Sequence, residues 1–262
     1  MVARPSGLHL SAALFGAAAL VGGWFTVGSM FAAAGEAAAA SPSAASAWAP
    51  ADAGPAVPVP PIDALPVASA ESSRALQMVD RAWAAQTSAR TGVPERALTA
   101  YAAAELVLAS EQPGCGVGWN TLAGMGQIET QHGSYGGAVV QPNGDALPRI
   151  LGPALDGNGF AAIHDTDAGA WDSDAVWDRA VGPMQFIPDT WQRWGADGNG
   201  DGAVDPNNID DAALAAGRYL CASGSMLDAA GWRAAIFSYN HLDSYVDSVA
   251  QAANEIAARA AG

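Results

Sequence analysis

Positive charge is scarce in this sequence: 11 Lys and Arg stand against 26 Asp and Glu, a formal charge of −15 over 262 residues. A nucleic-acid partner requires a basic footprint, so that class is excluded. Attachment to an anionic wall or membrane surface by charge alone is disfavoured for the same reason. No internal repeat is visible, and no alternating run is long enough for a large sheet. Cysteine is limited to Cys115 and Cys221.

What is present begins with an apolar stretch. From Leu8 to Ala34 the chain is almost uninterrupted apolar and small residues, with Arg4 just upstream. The run exceeds the roughly 20 residues that span a bilayer. It also has the form of a signal peptide, with small-residue cleavage candidates at Ala32-Ala33-Ala34 and Ala45-Ser46-Ala47. Length favours an uncleaved membrane anchor over residues 1–34, the cleavage candidates favour a signal peptide, and both put the remainder outside the cytoplasm; the alternative is a hydrophobic helix buried in the domain. Residues 35–72 are mostly Ala, Pro, Ser and Gly, with Pro55, Pro58, Pro60, Pro61 and Pro66 close together. Such a segment buries too little to offset ordering entropy and reads as an extended stalk. Residues 73–262 then form one compact domain. In an exported protein the isolated pair Cys115 and Cys221 is most simply one disulfide, the alternative being two buried thiols.

The domain reads as mostly α. Leu76, Val79 and Trp83 share a helical spacing that predicts a helix over 72–90 ended by Gly92. Pro94 suits a helix start, and Ala97, Tyr101, Ala104 and Leu108 keep one face apolar up to Gly114. A third helix is expected from an N-cap at Asn120 to Gly133, with others at 211–222, 228–238 and 242–260. Leu242, Val246, Val249 and Ile256 make a core stripe on the last. Between Gly133 and Arg179 the period is lost among Gly, Asp and Pro. That stretch reads as an irregular lobe with a short hairpin around Asn143 and Gly144.

Glu129 lies four residues after Met125 and seven after Leu122, so a carboxylate shares an inward helix face. Desolvation there raises its pKa, as a glycosidase acid needs in order to hold a proton near neutral pH. Gly124 and Gly126 on this helix leave room for another chain or a sugar. Two further segments stand out. Gly182-Pro183-Met184-Gln185 pairs a turn with an amide, and Ser238-Tyr239-Asn240 sits at a junction between two helices.

In this order the three segments resemble the lytic transglycosylases with a goose-lysozyme-like catalytic domain. Glu129-Thr130 resembles that family's Glu-Ser or Glu-Thr motif, Gly182-Pro183-Met184-Gln185 its Gly-x-Met-Gln motif, and Ser238-Tyr239-Asn240 its Ala-Tyr-Asn motif. The resemblance covers roughly residues 73–258. It implies a lysozyme-like fold and cleavage of peptidoglycan glycan strands, with Glu129 as acid and then base. Gln185, Tyr239 and Asn240 would hold the sugar, and Met184 would help floor the groove. It implies one carboxylate rather than the pair usual in glycoside hydrolases. A second one from Asp165, Asp167, Asp172 or Asp174 would instead make a hydrolytic muramidase, and a non-catalytic calcium-dependent glycan-binding or scaffolding protein is the remaining alternative. Trp119, Tyr135, Trp191 and Trp194 are candidates for stacking on sugars. No tandem wall-binding repeat follows the domain, so attachment is expected through the N-terminus or the groove.

Residues 197–205 match the start of an EF-hand loop, with oxygens at Asp197, Asn199 and Asp201 and a glycine, Gly202, at the sharp turn. Ala203 would add its carbonyl. The twelfth position is Asn208 rather than the usual Glu, so the expected ligand set for a structural Ca²⁺ closes with Asp211, with Asp205 and Asp210 as alternatives. A lengthened EF-hand-like loop in this place resembles the membrane-bound lytic transglycosylase B branch.

Overall fold

The computed structural model describes residues 69–262. The expected signal peptide or anchor and almost all of the stalk lie outside the described residues. Among the described residues no helix is long and apolar enough to cross a membrane.

Helix α1 (Ser69–Met78) begins inside the segment that composition assigned to the stalk. It packs on α3, with Ser72 and Ala75 buried. The helix expected over 72–90 is two helices. Asp80 adopts an extended backbone, and its carboxylate accepts the Ala82 and Trp83 amides at 2.7 and 3.2 Å, capping a new helix α2 (Arg81–Thr91). Gly92 ends α2 in the left-handed conformation. Helix α3 (Glu95–Glu111) follows Pro94 and buries Ala97, Tyr101, Ala104 and Leu108, the face expected from spacing.

Helix α4 (Trp119–Thr130) starts before Asn120, because the Glu105 carboxylate reaches over from α3 to accept the Trp119 amide at 2.7 Å. That supplies an acceptor for one of the first-turn N–H groups that no intrahelical carbonyl reaches. The helix ends before Gly133, since Gln131 and His132 both turn left-handed (φ 53° and 61°). Two small antiparallel sheets follow. Strand β1 (Val139–Val140) pairs with β2 (Ala146–Leu147) in the hairpin expected around Asn143 and Gly144. Strand β3 (Leu151–Ala154) pairs with β4 (Arg179–Val181), and the irregular lobe is the excursion between them.

The lobe lacks a large apolar interior and is organised by its aspartates. Asp165 accepts the amides of Asp167, Ala168 and Gly169, Asp167 those of Ala170 and Trp171, and Asp174 those of Val176 and Trp177. His164 stacks on Trp177 at 4.2 Å between ring centres. The chain continues through α5 (Pro188–Trp194), α6 (Ile209–Ala222), α7 (Ala229–Tyr239) and α8 (Asp243–Ala261). The last three lie within one or two residues of the expected ranges. Val246, Val249 and Ile256 are buried along α8 as its stripe predicts, together with Tyr245.

Helix α4 lies in the middle of the core, against α3 on one side and α8 on another. Its glycines explain how closely. A methyl group at Gly124 would come within 2.9 Å of the Ala253 amide nitrogen and 3.0 Å of the Val249 carbonyl oxygen of α8. One at Gly126 would strike the Tyr101 hydroxyl of α3. The room that these glycines leave is therefore filled by neighbouring helices rather than by a sugar. Cys115 and Cys221 form the expected disulfide, with a Cα–Cα distance of 5.2 Å, and tie the α3–α4 connection to the end of α6. Closing a loop of that length contributes about 4–5 kcal/mol in the chain-entropy model.

Gly124→Ala is expected to destabilise the domain by about 1–3 kcal/mol, because helix backbone rather than a flexible side chain must move. Urea denaturation checks this; a variant as stable as the parent would mean that the α4–α8 contact is slack.

Candidate active site

The three sequence segments meet at the C-terminal end of α4, and two side chain to backbone hydrogen bonds join them. The Thr130 hydroxyl, next to Glu129, donates to the Pro183 carbonyl at 2.6 Å. The Tyr239 hydroxyl donates to the Met184 carbonyl, also at 2.6 Å. The turn from Gly182 to Gln185 is thereby held between α4 and α7. Gly182 has φ 78°, and a Cβ there would overlap the Pro206 carbonyl, so the turn also lies directly on the segment leading into α6.

Glu129 is 8% exposed and shares the buried face of Leu122 and Met125. Desolvation pushes its carboxyl up from 4.5 to about 8, against the opposing effect of a hydrogen bond from Tyr245. That bond runs from the Tyr245 hydroxyl on α8 to Glu129 Oε1 at 2.5 Å. Burial and the neighbouring carboxylate keep the Tyr245 phenol well above its ordinary pKa, so it remains a donor. Tyr245 belongs to none of the three motifs. Its only signal in the sequence was a position beside Val246 on the core stripe of α8, where an aromatic residue reads as packing.

The other candidates divide by what their side chains face. Gln185 is held left-handed (φ 52°) and buried; its amide nitrogen donates to the Gly182 carbonyl at 2.8 Å, while Oε1 has no partner. Asn240 caps the end of α7, and its Oδ1 is likewise buried without a partner. An unsatisfied buried acceptor costs about 1–3 kcal/mol, and Asn207 Nδ2, on the segment against Gly182, is a buried donor likewise without a partner among the described residues. Tyr239, expected to touch the sugar, has its hydroxyl bound to Met184. Met184, expected on the groove floor, is fully buried in the main core and presents no surface. Its carbonyl, rather than its thioether, takes part in the site. Among the candidate stacking residues, Trp191 and Trp194 are core, and Trp119 packs edge-on against Trp83. Tyr135, at 48% exposure, presents a ring to solvent.

The carboxylates of the irregular lobe are bound up in its own turns. Besides the contacts above, Asp172 accepts the Asp174 and Arg179 amides, and Asp174 pairs with the Arg179 guanidinium at 2.9 Å. Asp165, Asp167 and Asp178 gather oxygens within 4.8 Å of one another. Asp178 there accepts both the amide and the hydroxyl of Thr166.

The loop after α5 folds back on the start of α6. A Cβ at Gly198 would overlap the Asp210 carbonyl. Asp197 accepts the amides of Gly200, Asp201 and Gly202, and Asp211 those of Gly198 and Asp205. Asp197 and Asp211 are both buried, and among the described residues neither pairs with a basic side chain. Burial pushes Asp211 up to about 7. Asn199 donates its amide to Asp201 at 2.9 Å. The alternatives are engaged elsewhere: both oxygens of Asp210 are clasped by Arg96, and Asp205 pairs with Arg149 at 3.0 Å. Asn208 caps α6 and bonds to the hairpin. All the remaining donors are hard oxygens, two of them on buried, unneutralised carboxylates, which is the donor chemistry that suits Ca²⁺.

The Glu129 shift has a thermodynamic consequence. A carboxyl whose folded pKa is raised contributes stability below its unfolded pKa, near 4.5, that is lost as pH rises toward about 8. Glu129→Gln is thus expected to gain in Tm relative to the parent as pH climbs through that window, with no further gain above it. A difference independent of pH in differential scanning fluorimetry would mean that Glu129 titrates normally.

Residues 159–234 match the family model described as Transglycosylase SLT domain, a span of less than a third of the chain. The matched span includes the lobe from residue 159 onward, Met184, Gln185, the acidic loop and α6; Glu129 precedes it, and Tyr239 and Asn240 follow it. No curated protein and no solved structure matches the chain. The match and the mostly helical architecture together are consistent with a lysozyme-like SLT domain, and the matched part of the chain is similar to that of SLT-type transglycosylases.

Proposed function

We propose that this protein is a peptidoglycan lytic transglycosylase of the membrane-bound lytic transglycosylase B type, acting outside the cytoplasm. It would cleave the β-1,4 bond between N-acetylmuramic acid and N-acetylglucosamine and form a 1,6-anhydro end. The observation that carries the reading is the Glu129 carboxyl, kept protonated by burial and held by Tyr245, at the helix end where the three segments are joined.

Glu129 donates its proton to the glycosidic oxygen as the bond to C1 breaks, and the substrate's N-acetyl group helps stabilise the developing cation. The resulting carboxylate takes the proton of the muramic C6 hydroxyl, whose oxygen closes onto C1, so the acid is regenerated. The Tyr245 hydrogen bond favours the charged form in this second half. Gln185 Oε1 and Asn240 Oδ1 accept N–H or O–H groups of the sugar at the cleavage point. Tyr239 acts at one remove, by fixing the Gly182–Gln185 turn through Met184. Engagement of the lobe aspartates in backbone turns supports one catalytic carboxylate over the muramidase alternative.

Mass spectrometry of purified peptidoglycan digested with the full chain tests the reaction. Ends of 1,6-anhydro-N-acetylmuramic acid are expected, and their loss with Glu129→Gln. Ordinary reducing ends would make the protein a hydrolase, and lysis undiminished by Glu129→Gln would remove Glu129 from its role. Turnover should be constant through neutral pH and fall above about 8 as the acid ionises. In Tyr245→Phe that alkaline limb should move upward, because a bond favouring the carboxylate is gone, with turnover lowered about tenfold or more; an unmoved limb would make Tyr245 a packing residue.

The acidic loop is assigned a structural Ca²⁺ held by Asp197, Asn199, Asp201, the Ala203 carbonyl and Asp211. Bound there, the ion would neutralise the clustered carboxylates. Dialysis against a chelator is expected to lower Tm, with recovery on adding Ca²⁺. An unchanged Tm and no calcium in the purified protein by atomic emission would refute the site.

A further inference from the structure

A crevice of about 440 Å³ opens at the end of the helical core opposite Glu129. Its walls are the first turn of α4 (Asn120, Thr121), the start of α7 (Asp228, Trp232, Arg233) and the middle of α8 (Ala253, Asn254). Three contacts fix its position. The Trp232 indole N–H donates to the Thr121 hydroxyl at 3.0 Å, Gly124 abuts Val249 and Ala253, and Glu129 meets Tyr245. Helices α4 and α8 therefore run antiparallel, with the crevice at one end of the pair and the carboxyl at the other. Thr121 and Glu129 are eight residues apart, about 12 Å along the helix axis.

We infer that this crevice is a second saccharide-binding site, taking a neutral β-1,4-linked N-acetylhexosamine oligomer apart from the cleavage point. The chemistry of its walls selects the ligand. Trp232 is half-buried with its polar edge already satisfied by Thr121, which leaves its ring as an apolar surface of the kind that packs on a sugar face. Around it stand the side-chain amides of Asn120 and Asn254, which have no hydrogen-bond partner among the described residues, and each offers a donor and an acceptor. Asp228 accepts the Gly231 amide through Oδ1 alone, so its second oxygen can accept a hydroxyl. Ala253 and its neighbour Ala250 keep the floor shallow and apolar.

Charge argues against ionic ligands. Among the lining residues Arg233 is the one base, and it is already paired with Asp247 at 2.8 Å and Asp243 at 4.0 Å, while Asp228 in the wall is acidic, so the crevice offers a phosphate or carboxylate no unpaired positive charge. A ring with hydroxyl and acetamido groups makes no such demand. The volume is that of a small ligand site. A charge of −15 disfavours holding an anionic wall by electrostatics. A neutral-sugar site away from the cleft would retain a strand without occupying Glu129. The inference needs the saccharide chemistry of the wall, and it does not depend on Glu129 being catalytic.

Isothermal titration of the full chain carrying Glu129→Gln with N,N′,N″,N‴-tetraacetylchitotetraose tests it, alongside the same chain with Asn254→Ala and Arg233→Ala added. Both added changes are at exposed positions; Arg233 pairs with Asp243 and Asp247, and neither side chain is bonded to Glu129 or Tyr245. Binding at the crevice is expected to weaken about tenfold or more in the triple variant, about 1.4 kcal/mol or more. In ¹⁹F spectra of 5-fluorotryptophan protein, the resonance lost in Trp232→Phe should be the one that the sugar shifts. Titration that the added changes leave untouched, a Trp232 resonance that does not move, or absence of any binding would each overturn the second site. A stem-type peptide that shifts Trp232 when the sugar does not would also overturn it, in favour of a peptide pocket. Wall digestion by the parent and by Glu129→Gln is read separately, so failure of the catalytic assignment and failure of this one are distinguishable.

Discussion

The candidate site depends on one carboxyl kept out of water. Glu129 lies on the buried face of α4, where neutral is the cheaper state, and a single phenol from α8 contacts it. Beside that contact α4 and α8 approach so closely that only a glycine fits between their backbones, at Gly124. The same approach leaves little space in which water could hydrate the acid. Core packing and the acid's protonation are thus one constraint seen from two sides: a looser helix pair would let in water and return the carboxyl to an ordinary pKa.

Around this carboxyl the polar groups are arranged asymmetrically. Hydroxyls that could have faced a ligand instead hold the backbone. Thr130 and Tyr239 each donate to a carbonyl of the Gly182–Gln185 turn, and Tyr219 donates to the Ser238 carbonyl at 2.6 Å, next to Tyr239. Acceptors are left open, at Gln185 and Asn240. The left-handed backbone of Gln185 carries a cost that a glycine there would avoid; the side chain at that point is what the strain retains.

The two acidic regions solve different problems with the same residue. In the lobe, aspartates accept backbone N–H groups that no sheet or helix satisfies, and they substitute for a core that the segment lacks apolar residues to build. After α5, the buried Asp197 and Asp211 draw the loop onto α6, and among the described residues no basic side chain balances them. The turn carrying Gln185 rests on that loop's exit at Pro206, so the order of the loop and the placement of Gln185 are mechanically linked.

Much of this was legible in the sequence because it is local. Apolar period placed α3 and α8, glycine ended α2, and the inward position of Glu129 followed from its spacing to Leu122 and Met125. The break at Asp80 is also local, a cap motif inside an otherwise helical period. What only the tertiary structure decided are the partners that meet across long stretches of chain. Tyr245 looks like any core aromatic until α8 lies beside α4. Met184 looks like a groove residue until its surroundings bury it. Gly124 and Gly126 look like space for a ligand until α8 and Tyr101 fill it. The start of α4 at Trp119 depends on Glu105 of another helix. Period and capping act within a few residues, whereas desolvation and hydrogen-bond satisfaction depend on which surfaces the fold brings together, and one chain's pattern of residue types does not specify those.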